Sequence, residues 1–375
     1  MKIEMVATCL FGLEKMLGEE IDSLRLKRIE TMDGRITFEG ELSDVPRTNI
    51  FLRTAERVYI KMGAFKATSF EELFEGTKNL PWETFIGAKD AFPVKGHAIK
   101  SILYSVPDCQ SIIKKAMVDR LSGVYGIKWF EETKTKFQIE FFIFKDVATL
   151  MIDTSGVPLH KRGYRPAAGA APLRETLGAA VALSTRPRDN VLMWDPFCGS
   201  GTIVIEAAMI MKNIAPGMGR SFAAESFEFI ERSSWDYART EARDKILTNT
   251  DFKAYGSDID PAVLDYAKAN ASRAGVDGMI KFFTADARRI EKPDCRGTLV
   301  CNPPYGERLM SEREVEKLYS DMGKAFSNFD PWQMYILTSC EEFQRHFGRR
   351  ADKIRKLYNG MIPCNLYQYF KPKNK

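Results

Sequence analysis

The chain has 375 residues, too many for one ordinary domain and enough for two or three. With 45% hydrophobic and 28% charged residues it reads as globular rather than disordered, and its net charge of +5 favours anionic partners only mildly. No apolar run approaches the ~20 residues that span a bilayer, and Met1-Lys2-Ile3-Glu4-Met5 lacks the long apolar core of a signal peptide.

Residue alternation and turn signals predict, in chain order, a strand (3–9), a helix (13–21), a strand (26–31), a turn at Asp33-Gly34 and a strand (35–40). A helix around 49–54 and a strand at 57–65 complete an α+β unit of ferredoxin-like type over residues 1–65. Residues 66–155 then read as an amphipathic helix (70–77), an extended piece (92–101), a helix (109–125) and two strands (136–144 and 148–153). The long helix places Ile112, Ile113, Ala116, Met117 and Leu121 on one face. Lys95, His97, Lys100, Lys114, Lys115, Arg120 and Lys128 scatter cations among Tyr104, Tyr125 and Trp129. Both an RNA-docking face and an ordinary solvated helix face look like this.

Residues 156–172 shift to Gly, Ala, Pro and basic residues and read as a linker. Within it Lys161, Arg162, Tyr164 and Arg165 concentrate three cations and a ring. They suit a phosphate clamp at the domain boundary, a hairpin pinned to both domains, or both roles together. A further domain over 173–375 opens with a helix (174–183). The long segment 212–251 carries Phe222, Phe227, Phe229 and Trp235, read mainly as core and otherwise as the lining of a substrate entrance. Strands at 333–338, 353–358 and 366–370, with a helix around 341–347, close the chain. The last two strands form a hairpin joined through Asn359-Gly360 and Pro363.

The chemistry concentrates at strand ends. Residues 190–195 form an apolar run ending in Asp195, followed by Pro196-Phe197-Cys198-Gly199-Ser200-Gly201-Thr202 and a buried helix at 203–211. Strand, glycine turn and helix make the first unit of an open α/β sheet, with a ligand crevice at the strand's carboxyl end. The dinucleotide fingerprint fails, because its third glycine would fall at Val204. Carboxylates recur at the next two strand ends, as Asp258-Ile259-Asp260-Pro261 and as Asp286-Ala287. Three successive anions repel a diphosphate but welcome S-adenosylmethionine, which carries an ammonium, a sulfonium, ribose hydroxyls and an adenine amine but no phosphate. Asp195 with the Gly199 and Gly201 backbone is expected near the methionine end, Asp258 at the ribose hydroxyls and Asp286 at the adenine amine. Asp260 before Pro261 is better explained as a helix N-cap.

A fourth apolar strand, from Leu299, ends in Asn302-Pro303-Pro304-Tyr305. The prolines remove two backbone donors and fix φ, Asn302 and the Pro303 carbonyl offer oxygen acceptors, and Tyr305 offers a stacking face. That set suits a planar substrate bearing an NH2 group, whose lone pair two acceptors can draw out of conjugation. The seven cysteines have no C-x-x-C spacing, which fits a reduced cytoplasmic setting, and three scattered histidines make no metal-ligand pattern. No metal is expected. Cys198 and Cys301 lie beside the proposed site but read as packing residues rather than nucleophiles.

These motifs resemble class I S-adenosylmethionine-dependent methyltransferases acting on exocyclic amines. Leu159-His160-Lys161-Arg162-Gly163-Tyr164-Arg165, Ala171-Pro172-Leu173-Arg174-Glu175 and Leu357-Tyr358-Asn359-Gly360 narrow the resemblance to the THUMP-domain RNA guanine-N2 methyltransferases, in particular the bacterial group modifying large-subunit ribosomal RNA. The resemblance implies a Rossmann-like α/β methyltransferase sheet, mostly parallel with a terminal antiparallel hairpin, preceded by a ferredoxin-like plus THUMP α+β RNA-binding region. It implies structured RNA as partner, with no membrane. Some relatives carry a second methyltransferase domain, for which this chain is too short, so no second activity is expected. A DNA adenine-N6 methyltransferase, a protein glutamine methyltransferase and a non-enzymatic RNA chaperone with a degenerate site remain as alternatives.

Overall fold

Two seven-stranded sheets follow one another along the chain, in a computed structural model that describes residues 1–165, 173–305 and 311–370. The first is built from β1 (Lys2–Cys9), α1 (Glu14–Ser23), β2 (Lys27–Met32), β3 (Arg35–Glu41), α2 (Asp44–Phe51) and β4 (Ala55–Lys66). It continues through α3 (Phe70–Lys78), β5 (Val94–Ile99), α4 (Val106–Tyr125), β6 (Ile139–Phe144) and β7 (Val147–Asp153). Its strand order is β2-β3-β1-β4-β7-β6-β5. The long β4 joins the ferredoxin-like and following units into one sheet: residues 55–60 pair with β1 and residues 59–66 with β7. Each half covers its sheet with helices whose apolar faces are buried, such as Leu17 and Ile21 of α1 and Ile113, Met117 and Leu121 of α4.

The second sheet takes α5 (Glu175–Thr185), β8 (Leu192–Asp195), α6 (Thr202–Met211), α7 (Arg232–Asp244), β9 (Ala254–Asp258), α8 (Pro261–Arg273) and β10 (Ile280–Thr284). It continues with β11 (Gly297–Cys301), α9 (Glu312–Phe326), β12 (Gln333–Thr338), α10 (Phe343–Phe347), β13 (Lys353–Asn359) and β14 (Ile362–Tyr369). The order is β10-β9-β8-β11-β12-β14-β13, parallel except for β14, which runs antiparallel to both β12 and β13. Strand order reverses between the parallel neighbours β8 and β11, and such a switch point leaves a crevice at their carboxyl ends. The strands are apolar because helices cover both faces; Leu299, Val300 and Cys301 of β11 are fully buried.

Some expected boundaries move. The second helix runs over Asp44–Phe51 rather than 49–54, with Pro46 in its first turn, where no N–H is required. β14 starts at Ile362 rather than 366 and includes Pro363. That proline is tolerated because β12 joins β14 from Asn365 onward, leaving Pro363 paired on one side only.

The 212–251 segment fastens the two sheets together. Phe227 and Phe229 pack against Phe137 and Phe85 of the first half, with ring centroids 4.5 Å apart for Phe137–Phe227 and 4.8 Å for Phe85–Phe229. Arg47 of α2 forms a forked ion pair with Glu241 of α7, at 2.8 and 3.1 Å. Gly217 donates to the Ile50 carbonyl at 2.9 Å, and a Cβ there would lie 2.7 Å from that backbone, so glycine permits the approach. With Phe222, Phe227 and Trp235 buried, these rings serve as core and interdomain packing rather than as an entrance.

Candidate active site

The second sheet delivers four motif segments to one edge because their strands are parallel neighbours. Asp195 ends β8, Asp258 ends β9, Asp286 follows β10 and Asn302 follows β11. Register places Asp195 beside Gly256 and Thr284 beside Asp258. The β8–α6 turn is closed by Cys198 N–H donating to Ser257 O and Gly201 N–H donating to Cys198 O. Gly199 and Gly201 both take positive φ, +51° and +83°. A Cβ on Gly199 would meet nothing within 4 Å, so the turn borders open space, and Gly201 caps α6 with its amide end toward the same edge.

Asp258 is half-buried and braces this turn. One carboxylate oxygen accepts from Gly199 N–H at 3.0 Å and the other from Asp260 N–H at 3.1 Å. Asp195 is buried and accepts from Phe197 N–H at 3.0 Å. Burial pushes its carboxyl well above the usual carboxylate range, opposed by the Phe197 amide and reinforced by Asp258. A cation arriving at this edge would reverse that balance. Asp286 caps the short turn at Ala287–Arg289 and is gripped by the Arg288 guanidinium at 2.7–3.1 Å, which holds its carboxyl below the ordinary range. Phe197 is half-buried, Ala287 buried, and Ile259 is exposed between Asp258 and Asp260.

Beyond β11, Asn302 carries the site's most informative atom: its buried side-chain oxygen has no hydrogen-bond partner among the described residues. An unpartnered buried amide oxygen costs ~1–3 kcal/mol, which a donor on a bound molecule would recover. Pro303 is buried, and the Pro304 carbonyl accepts from Tyr319 OH at 3.0 Å, a hydroxyl also 2.9 Å from Thr338 Oγ1. Tyr305 is half-buried. Its hydroxyl accepts from Asn359 Nδ2 at 3.1 Å and lies 3.8 Å from Cys364 Sγ, so the terminal hairpin sets the ring. Burial pushes this phenol up to about 12, which excludes it as a base at neutral pH. The sequence marks Asn359 only as part of the hairpin turn and its motif, not as a partner of Tyr305, and it gives no signal for Cys364 or Tyr319. Residues 306–310, the end of the Asn-Pro-Pro-Tyr-Gly-Glu-Arg-Leu motif, lie outside the described residues.

Cys198 and Cys301 are buried, and desolvation first, then nearby carboxylates, push both thiols well up. Neither is a poised nucleophile, as their packing role requires. None of the seven cysteines is paired in a disulfide. Among the described residues no cluster of His, Cys, Asp and Glu could hold a metal, and no helix is long and apolar enough to cross a membrane.

The linker cations need correction as a phosphate clamp. Arg162 and Tyr164 are buried, and both turn to Glu206 of α6, at 3.4 and 3.3 Å. Arg165 pairs with Glu175 at 2.8 Å. Removing such groups from their carboxylates to reach phosphate would strand buried charge. Lys161 alone of the set is exposed. Residues 166–172 of the expected linker lie outside the described residues. In the first half, Lys95, Lys114 and Arg120 are paired with Glu140, Glu132 and Glu83, whereas Tyr104 and Trp129 are each 80% exposed.

Residues 162–368 match a family model described as "RMKL-like, methyltransferase domain". The chain belongs to the RMKL-like methyltransferase family. Residues 4–59 match a ferredoxin-like domain model of the same group and residues 67–153 a THUMP domain model. A "Putative RNA methyltransferase YpsC" of Bacillus subtilis is 42% identical over 371 residues, covering 98% of this chain and 96% of the relative. A "Ribosomal RNA large subunit methyltransferase K/L" of Psychromonas ingrahamii is 35% identical over 96% of this chain, and the chain spans 49% of that relative's length. The fold matches a possible methylase from Clostridium difficile (TM-score 0.96, 44% identity, all of both chains). It also matches a putative methyltransferase complexed with S-adenosylhomocysteine (TM-score 0.92, 37% identity, 100% of this chain and 99% of that one). This RMKL-like methyltransferase therefore combines THUMP and ferredoxin-like units with a methyl-transfer domain.

Proposed function

We propose that the chain transfers a methyl group from S-adenosylmethionine to the exocyclic N2 amine of a guanine in large-subunit ribosomal RNA. The observation that carries this is the unpartnered, buried Asn302 oxygen at the same sheet edge as Asp195, Asp258 and the open Gly199 turn. The donor set fits the cofactor. Asp258 offers a carboxylate for the ribose hydroxyls, Phe197 and Ile259 offer apolar surface for the adenine, Asp286 and Ala287 follow the adjoining strand, and Asp195 with the Gly201 helix end is assigned to the methionine part, while Asp260 caps α8 by accepting from Ala262 N–H. The bound cofactor supplies an electrophilic methyl group, whose carbon–sulfur bond breaks as the amine nitrogen forms its bond to carbon.

The residues contribute alignment. Asn302 Oδ1 and the Pro303 carbonyl accept the two amine hydrogens and turn the nitrogen lone pair out of conjugation. Tyr305, its hydroxyl fixed by Asn359, stacks on the base. Such positioning is worth ~7–11 kcal/mol in favourable cases. The methylated nitrogen is acidic, and its proton leaves to water. RNA is the favoured acceptor because a relative of similar length is named for RNA, one about twice as long is named for large-subunit ribosomal RNA, and the first sheet carries a THUMP unit.

Labelled methyl transfer from S-adenosylmethionine into a cell extract tests the acceptor class. Label released by ribonuclease supports the reading; label resistant to it, and lost with deoxyribonuclease or protease, replaces RNA with DNA or protein.

A further inference from the structure

The turn of the β13–β14 hairpin presents Met361, 92% exposed and the most exposed of the large hydrophobic side chains described, with Ile362 43% exposed beside it. An isolated exposed apolar residue needs no explanation, but this one has a specific address. The residues flanking it hold the proposed substrate-stacking ring: Asn359 Nδ2 donates to Tyr305 OH, and Cys364 Sγ approaches the same oxygen. Ile362 pairs with Asn359 and Cys364 with Leu357, so by strand alternation Ile362, Asn359 and Cys364 share the hairpin face that Tyr305 touches. The apolar tip thus belongs to the same hairpin that holds Tyr305.

Its surroundings suit a polyanion. Arg174 is 3.9 Å from the position a Gly360 Cβ would take, and its side chain keeps 39% exposure although it pairs with Glu56. Lys356 stands over the Tyr358 ring, 5.7 Å from its centroid. Half-exposed Phe11, from the first sheet's half, packs edge-on against Tyr358 with centroids 5.6 Å apart. The hairpin is braced there by Arg355 donating to the Gly12 carbonyl at 2.7 Å. An exposed apolar tip on the hairpin that sets the Tyr305 ring, with Arg174 near its turn and Lys356 farther along it, matches what proteins insert into a base stack when a nucleotide leaves it.

We infer that Met361, supported by Ile362, is a wedge that enters the RNA helix in place of the methylated nucleotide and keeps it extruded toward Tyr305. The inference rests on the proposed RNA substrate and adds a positioning residue that touches neither cofactor nor reacting nitrogen. It predicts that Met361 matters only when the target base has a stack to leave. Extrusion costs a few kcal/mol for a paired base and least for an unpaired one.

The test uses the full chain with S-adenosylmethionine and a synthetic RNA stem-loop carrying the mapped target guanine, either paired with cytosine or facing an abasic position. Met361→Ser should lower turnover on the paired stem by about tenfold and leave the abasic stem within about twofold. Met361→Leu should restore the paired stem. Equal rates for Met361→Ser and the unsubstituted chain on the paired stem, or equal losses on both stems, overturn the wedge. If the unsubstituted chain methylates neither stem, the RNA reading itself fails, and the wedge with it.

Discussion

Glu206, fully buried on α6, is shared by Arg53, which precedes β4, at 3.2 Å and by Arg162, which follows the first sheet, at 3.4 Å. α6 is also the helix whose amino end forms the Gly199–Gly201 turn. Docking between the two halves is therefore wired into the helix that opens the candidate cofactor site. Arg53 further donates to the Ile214 carbonyl and Arg162 to the carbonyls of Leu159 and Arg53, so the buried guanidiniums have fixed partners.

Truncating that shared anion should be severe. Glu206→Ala removes the carboxylate that two buried guanidiniums share, and breaking a buried pair in this way costs ~3–5 kcal/mol. Glu206→Gln keeps the hydrogen bonds and should cost less. Urea unfolding of both variants measures the difference; a Glu206→Ala midpoint equal to that of the unsubstituted chain would remove Glu206 as the anchor.

Strong acid should loosen the α2–α7 contact. The Arg47 guanidinium, with Lys245 behind it, holds the Glu241 carboxyl at about 2 against an ordinary 4.5. A carboxyl depressed in the folded state stabilises above its unfolded value and loses that contribution as pH falls from 4.5 toward 2. Glu241→Gln should lower stability at neutral pH by on the order of 1 kcal/mol and make the profile flatter across that window. Parallel pH profiles for the two chains would contradict the pair's role.

Much of the site could be read from residue order. Asp195, Asp258, Asp286 and Asn302 each end an apolar strand, and parallel neighbours must bring strand ends to one edge. What stayed hidden depended on partners distant in sequence. The sequence leaves Arg162 and Tyr164 open between a phosphate clamp and a hairpin pinned to both domains, and only Glu206, in the middle of an apolar helix, shows what holds them by claiming both. Helix α9 went unpredicted although Ser311 and Glu314 carry a capping signature, with Glu314 accepting from both Ser311 N–H and Oγ at 2.8 and 2.7 Å. The continuous first sheet was illegible because β4 pairs one neighbour with each of its halves, and no local pattern records that exchange.

Removing the orphan acceptor should separate chemistry from binding. Asn302→Ala deletes the oxygen proposed to hold the amine and leaves Asp258 and the glycine turn intact. Methyl transfer should fall on the order of a hundredfold or more, while the calorimetric affinity for S-adenosylmethionine stays within a few fold. A variant with undiminished turnover would take Asn302 out of the mechanism.

Asp258→Ala has the opposite signature. It removes the proposed ribose acceptor and also the brace on the Gly199 and Asp260 amides. Cofactor affinity should weaken roughly tenfold or more, the worth of one charge-assisted hydrogen bond. An unaltered dissociation constant would detach Asp258 from the cofactor.

Nucleoside mass spectrometry of large-subunit ribosomal RNA from cells lacking the gene, before and after incubation with the purified chain and S-adenosylmethionine, tests the central claim most directly. The account predicts that one N2-methylguanosine disappears with the gene and returns on incubation, but does not return with Asn302→Ala. Identical modification patterns with and without the gene, or a methyl group returning on adenine N6 instead, would contradict it.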